Sequence, residues 1–540
     1  MSIRRSEPFR WPAIGCSDSL ETTEVFKGAM SSLQNLIPDP TTKNLWVPRP
    51  AAVQKTDFTG FTTPGFISAQ IVVGDRVYGM IASGRNAGKD EPFCYDLVAG
   101  AFVTISGVTG ANTPTSPSPT GAWTPPSLAL VGTYVVVCHP GFSGANFVGW
   151  LNISNPAALA WSAGNTATNA LPVAPSFVAQ FNGRAYYGCN PATGQPSIIA
   201  SDVLDPTTRT NGTYVLTFDD NVPLITAQGL PLENQLGGII QSLIVFKSNN
   251  CYQITGDFAS TTTPIAKNAL NVSTGTQAPN AVCVTPKGIA FIAPDGLRFI
   301  DFNARMSDPV GDAGAGITLP FSQVVVPSRM CADCNSTTIR ISVQNGAVAG
   351  NPNQEWWFNL SRGVWCGPHT FPASLINAYG ISFILSPIAV TASLFQSDTI
   401  PTSLSVYTEN GAAMQFVYET ANFPDPGKMA NYAVVETLIY MAYPPDSPGF
   451  VVVAENQDEA VLDQTMLQAN TGAVSIWGAF NWGSGAWGGF GSALAPRQVK
   501  WTKPVMFTRW HVRVVGTCAY GLQLGDVYGR WQLLGYEPTG

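Results

Sequence analysis

Four soft ligands stand in two close pairs: Cys331 and Cys334 in MCADCNST, then Cys366 and His369 in WCGPHTF. C-x2-C followed by C-x2-H is a donor set that tetrahedral zinc accepts. The sequence between them, TTIRISVQNG and QEWWFNLSRGVW, reads as antiparallel strands, which would place both pairs at the same end. Against a metal, Cys334 is followed by Asn335 and Ser336 and not by the tight glycine turn of a zinc ribbon. A body of this size also has core enough without a metal staple. Free thiols are the expected state, with zinc or a disulfide between the pairs as alternatives, and no cofactor is expected.

Other catalytic chemistry has little to work with. Histidine occurs only at His139, His369 and His511, and none accompanies a G-x-S-x-G elbow. No P-loop or dinucleotide fingerprint is present. A glycosidase needs two carboxylates facing each other across a cleft. Asp219, Asp220, Asp295 and Asp301 are available, but Asp295 is explained by a turn. The expectation is that the chain is not an enzyme.

The elements that would carry these residues are strands. Charged residues make up 11% of the 540, against a usual value of about 25%. Gly and Pro number 52 and 42, so turns are frequent. Few charges suggest surface buried against neighbouring subunits; a Ser/Thr/Asn-rich monomer surface would look the same at this level. A net charge of −7 argues against a basic surface gripping nucleic acid, though not against a conduit through which DNA passes. No apolar run follows the basic residues of MSIRRSEPFRWPAIG, so no secretory signal is expected. No stretch reaches the roughly 18 apolar residues of a membrane span. The ten cysteines are spread from Cys16 to Cys518, several in apolar runs, which suits core thiols.

Short runs rich in Val, Ile, Tyr and Phe alternate with turn residues, as in SLIVFKSNNCYQITG and GIAFIAPDGLRFIDF. Asn182-Gly183, Asp295-Gly296 and Asn410-Gly411 supply hairpin turns. The hairpins recur too often for one sandwich, which predicts an all-β fold: an irregular β-propeller body with a separate C-terminal β domain. The expected divisions are an N-terminal arm and entry segment over 1–56, the body over 57–426 and the C-terminal domain over 427–540.

Four stretches, taken in order, resemble the tail nozzle (tail tubular) proteins of short-tailed bacteriophages. In FKGAMSSLQNLIPDPTTKNLWVPRPA, Asn35, Leu36, Pro38, Arg49 and Pro50 match the family's entry element, while Ala51 stands where a glycine is usual. The second is an S-D-x-x-x-P element at Ser201, Asp202 and Pro206. The third runs through Phe246-Lys247 and back through Tyr252, and the fourth holds Gly288 and Asp295-Gly296. The likeness covers most of residues 26–305 and is patchy beyond. It implies a virion structural protein of the phage tail, assembled in the host cytoplasm. Six copies would ring the channel that seals and then ejects the genome. Partners would be the portal or adaptor, tail fibres or spikes, and double-stranded DNA in transit. The alternative is a propeller that binds or degrades carbohydrate.

Aromatic residues supply the candidate subunit contacts: Trp46 in the entry segment, Trp357 in QEWWFNLSRG, and Trp477, Trp482 and Trp487 in the glycine-rich SIWGAFNWGSGAWGGFG. Core packing is the simpler reading of each. Residues 1–25 have little pattern of their own and are expected to pack along the body or a neighbour.

Overall fold

The computed structural model describes residues 8–11, 30–42, 44–61, 64–82, 86–117, 124–231, 240–270, 273–310, 324, 326–343, 353–388, 391–399, 406–422, 430–442, 450–456, 461–467, 495–507, 510–519 and 521–536. Strand dominates them, and the one helical element among them is the 3-10 turn Pro327–Arg329. No helix among them is long and apolar enough to cross a membrane.

Seven sheets, antiparallel but for the pairing of Ile105–Ser106 with Leu159–Gly164, follow one another along the described chain as the blades of a propeller. Their first strands are Ile67–Val73, Ser127–Val131, Phe177–Phe181, Leu224–Pro231, Val282–Thr285, Cys331–Cys334 and Ala373–Tyr379. Each first strand lies beside the next, and the seventh lies beside the first, so the ring closes on itself. Hydrophobic clusters fill the spaces between adjacent blades. Val131, Val136 and Trp150 of the second blade, for example, meet Val178, Ala185 and Tyr187 of the third. Strands with both faces buried in this way need apolar residues at consecutive positions. Ile198-Ile199-Ala200 and Leu243 to Phe246 supply them.

The last blade is closed by the chain's beginning. Its order is Ala373–Tyr379, Ser382–Pro387, Leu394–Thr399 and then Ala51–Thr56. Pairing of Val53 with Gln396 and Ala52 with Ser397 ties the two ends of the ring together by backbone hydrogen bonds. An otherwise open edge is thereby covered.

A second β domain is made of two sheets. One runs Leu36–Pro38, Trp46–Pro48, Gln523–Tyr536, Ala430–Ala442 and Ala495–Phe507, with Pro8–Trp11 also on Gln523–Tyr536. The other runs Met30–Gln34, Gln415–Thr420, Trp510–Thr517, Phe450–Asn456 and Val461–Leu467. Their buried face is continuous with the fifth and sixth blades: Phe416, Val452 and Val514 share one cluster with Ile292, Ile341 and Trp356.

The expected divisions therefore shift. Ala51–Thr56, assigned to the entry segment, is a blade strand, and Gln415–Thr420, assigned to the body, is a central strand of the second domain. Sequence position misleads here because the chain crosses between domains at both ends of the ring.

Two of the three hairpin turns form as the dipeptides require. Asn182 and Gly183 have φ of 49° and 68°, and Asn410 and Gly411 have 49° and 78°. The third differs: Ala293 pairs with Gly296, so Pro294 and Asp295 occupy the turn and Gly296 begins the next strand.

Candidate functional site

The first strands surround an axial cavity of 510 Å³. Amide side chains from different blades line it, among them Gln70, Gln180, Gln228, Asn280 and Asn377. Side chains of an inner strand alternate between the two neighbouring blades, as Val178 and Ala179 do, so the strand's edge faces the channel. Gln70 is committed elsewhere: its Nε2 donates to the Ile384 carbonyl at 3.2 Å and its Oε1 accepts from Ser386 Oγ at 2.7 Å. Asn377 Oδ1 is buried and has no hydrogen-bond partner among the described residues.

Asp333 is the one carboxylate in the described lining. Its oxygens accept from the backbone N–H of Ala378 at 2.7 Å and of Cys334 at 2.8 Å. Burial nevertheless dominates and pushes its pKa up to about 6, the two N–H groups opposing. A single carboxylate does not make the acid–base pair of glycoside cleavage at this place. Cys283, Cys331 and Cys334 also line the cavity, and burial raises all three thiols, holding them protonated and weakly nucleophilic.

The four candidate zinc donors are not brought together. Cys331 and Cys334 sit on the innermost strand of the sixth blade, and Cys366 and His369 on its outermost strand, with Thr338–Val343 and Gln354–Asn359 between. Three strand spacings of about 4.8 Å separate the pairs by roughly 14 Å, far beyond a shared ion. Antiparallel strands do align their ends, but they also set them side by side. All nine cysteines of the described residues are free and buried.

His369 has a different task. Its Nδ1 accepts the Asn35 backbone N–H at 2.9 Å, so the ring is neutral with its proton on Nε2. Burial, then Arg49 and Arg340, hold its pKa well below the usual histidine value. Asn35 is the centre of a buried fastener. With φ of 58°, it accepts from Arg49 Nε through Oδ1 at 2.9 Å and donates through Nδ2 to Thr370 Oγ1 at 2.8 Å and the Gln415 carbonyl at 2.6 Å. Arg49 in turn grips Glu409 with both terminal nitrogens, at 2.8 and 2.6 Å. Glu409 Oε1 also accepts the Ala52 N–H at 3.1 Å. Entry segment, sixth blade, closing strand and second domain thus meet at one polar knot.

The other motif residues are also structural. Ser201 Oγ accepts the Ala185 N–H at 2.9 Å, and Asp202 accepts from Thr208 Oγ1 at 2.9 Å. Tyr187 donates to the Pro206 carbonyl at 2.7 Å. Lys247 is fully buried, paired with Asp220 and 5.0 Å from the Phe218 ring centre. Gly288 has φ of 117°, and a Cβ there would lie 2.0 Å from the Ile300 carbonyl oxygen.

Two expected contact residues are corrected. Trp46 is 1% exposed and Trp357 4%, so neither is free to meet a neighbour. Trp46 fills the core shared by the domains, while Trp357 lies 4.5 Å under the Arg340 guanidinium and donates its Nε1–H to Glu355. Trp477, Trp482 and Trp487 lie outside the described residues. A buried partner on an adjacent strand decided the first two, and the sequence alone does not show it.

No family model and no curated protein matches the chain. Solved structures do match at low identity. Puromycin hydrolase is 11% identical over 69% of this chain, with a TM-score of 0.36, and the chain spans 61% of its length. BamB from Moraxella catarrhalis is 10% identical over 75% of this chain and 100% of its own, with a TM-score of 0.34. The Dos1 propeller is 9% identical over 73% and 95%, with a TM-score of 0.36. None of these structures is a phage tail nozzle protein. At such scores they bring no activity to this chain, and the propeller rests on its own closed ring of blades. They do correct one expectation. With a hydrolase among the similar structures, the want of a familiar catalytic signature does not exclude catalysis, and the non-enzyme assignment is withdrawn.

Proposed function

We propose that this protein is a structural subunit of a short-tailed phage virion, of the tail nozzle type that its sequence resembles. The observation that carries the reading is the role of the motif residues. Asn35 and Arg49 lock the propeller to the second domain, and Ser201, Lys247 and Gly288 set blade turns and edges. The features shared with the family are thus those that build the body, as in a protein whose task is mechanical. The low charge fits surface buried in an assembly. In this reading six copies form the ring and DNA passes between them. The hole within each propeller is a cavity of 510 Å³, too small for a DNA conduit. Portal or adaptor and fibres or spikes would dock on the ring.

The axial cavity favours a second reading, a carbohydrate-binding propeller. Neutral amides such as Gln180, Gln228 and Asn377 match the donor and acceptor pattern of sugar hydroxyls. Negative-stain microscopy and an oligosaccharide array on the same preparation separate the two. Six-fold rings without sugar binding support the nozzle, and glycan-binding monomers support the second reading.

A further inference from the structure

A cluster in the second domain, remote from the axial cavity, carries chemistry that neither reading uses. Glu419, Glu455 and His511 present one donor atom each, all within 4.8 Å of one another. They come from three adjacent strands of one sheet. Glu455 pairs in register with His511, and Glu419 with Arg513. Val512 and Val514 point from the same strand into the core, so the alternation puts His511 and Arg513 on the opposite face. His511 is 4% exposed and Glu455 6%.

The imidazole is oriented from behind. His511 Nδ1 lies 3.1 Å from Asn422 Oδ1, and an amide oxygen can only accept, so Nδ1 carries the proton. Nε2 is then a bare lone pair. It faces Glu455 Oε2 at 3.1 Å and Glu419 Oε1 at 3.7 Å, two further acceptors. Three acceptors converge here, His511 and Glu455 buried and the Glu419 side chain 21% exposed, and such a set calls for a cation among them. The two donor separations bracket the roughly 3.3 Å edge of a tetrahedron whose metal–ligand bonds are about 2.0–2.1 Å. Ser31 Oγ donates to Glu419 Oε1 at 2.7 Å and fixes that carboxylate. The arrangement of a ligating histidine held through its other nitrogen is the one metal sites use.

We infer that Glu419, Glu455 and His511 bind one divalent transition ion of the zinc or manganese class, with Asn422 and Ser31 as positioning residues. Among the described residues, Arg513 is the further charged group paired with the cluster. Its Nε is 3.7 Å from Glu419 Oε2 and its Nη1 3.7 Å from Glu455 Oε1, on the oxygens turned away from the histidine. With a neutral imidazole the four side chains sum to one negative charge, which a divalent ion reverses and a proton cancels. Protonation of His511, or a rotated Asn422 amide that lets Nε2–H donate to Glu455, is the competing arrangement and needs no metal.

The test is titration of the full chain, dialysed against chelator, with Zn²⁺ and with Mn²⁺ at pH 7.5 by calorimetry. One ion per chain is expected for at least one metal, with a raised melting temperature. His511→Gln and Glu455→Gln should weaken binding about tenfold or more, and Asn422→Ala about tenfold through the lost orientation. Co²⁺ added to the unaltered chain gives a readout that needs no variant, since a histidine–carboxylate site yields a bound-ion visible spectrum that excess Zn²⁺ erases. No ion taken up by the unaltered chain, or equal affinity in all three variants, overturns the inference.

Discussion

Arg49 and Glu409 show what a single buried pair does in this molecule. Both side chains are almost fully enclosed, and apart from the Arg49 hydrogen bond to the Pro50 carbonyl their interactions described above join different parts of the chain. Removing one partner strands the other's charge in the interior, so Arg49→Met should cost about 3–5 kcal/mol of stability, read by urea unfolding. Replacing both, in Arg49→Met with Glu409→Leu, should recover much of that loss. Asp333 makes a pH-dependent contribution of opposite habit to most carboxylates. Its folded pKa of about 6 lies above the ordinary 3.8, so the folded chain holds the proton more tightly than the unfolded one. Its share of stability is greatest below pH 4 and is lost as pH rises to about 6. The difference in unfolding midpoint between the natural chain and Asp333→Asn should change over that window and be flat above it. The buried thiols give a third expectation. Burial raises Cys94, Cys189 and Cys251 to about 12, so none should react with a thiol reagent in the folded chain at pH 8, by peptide mapping. Labelling of any of them within minutes would contradict the packing described.

At the scale of elements, the hairpins were legible and their arrangement was not. Asn182-Gly183 and Asn410-Gly411 announce their turns because few other dipeptides accept two positive φ values. Nothing local tells that Cys331–Cys334 is innermost and Val364–His369 outermost in one blade, and that order is what rules out the alternative of a zinc site on these four donors. The metal-like cluster of Glu419, Glu455 and His511 was missed for the same reason. Its members lie 36 and 56 residues apart in the chain and meet only through pairing of non-consecutive strands. The closing strand was likewise read as part of the entry segment, since a lone run such as Ala51–Thr56 has no hairpin partner nearby. Two outcomes test this level. Gly288→Ala forces a Cβ against the Ile300 carbonyl at a left-handed backbone position and should cost about 2 kcal/mol or more by thermal unfolding. Deleting residues 1–56 leaves the edge of Leu394–Thr399 open and removes the polar knot, and should yield aggregated protein in size-exclusion chromatography.

At the scale of the whole molecule, the two-sheet domain shares one core with the fifth and sixth of seven blades, and strands from near both ends of the chain build that domain. A rigid body with few charges and its motif residues spent on internal fasteners is what a ring subunit needs. The direct measurement is the mass and shape of the purified full chain at micromolar concentration, by mass photometry with negative-stain class averages. The account predicts closed six-fold rings of about 340 kDa, six copies of a 57.3 kDa chain. A 57.3 kDa monomer that retains an oligosaccharide in its axial cavity would contradict it.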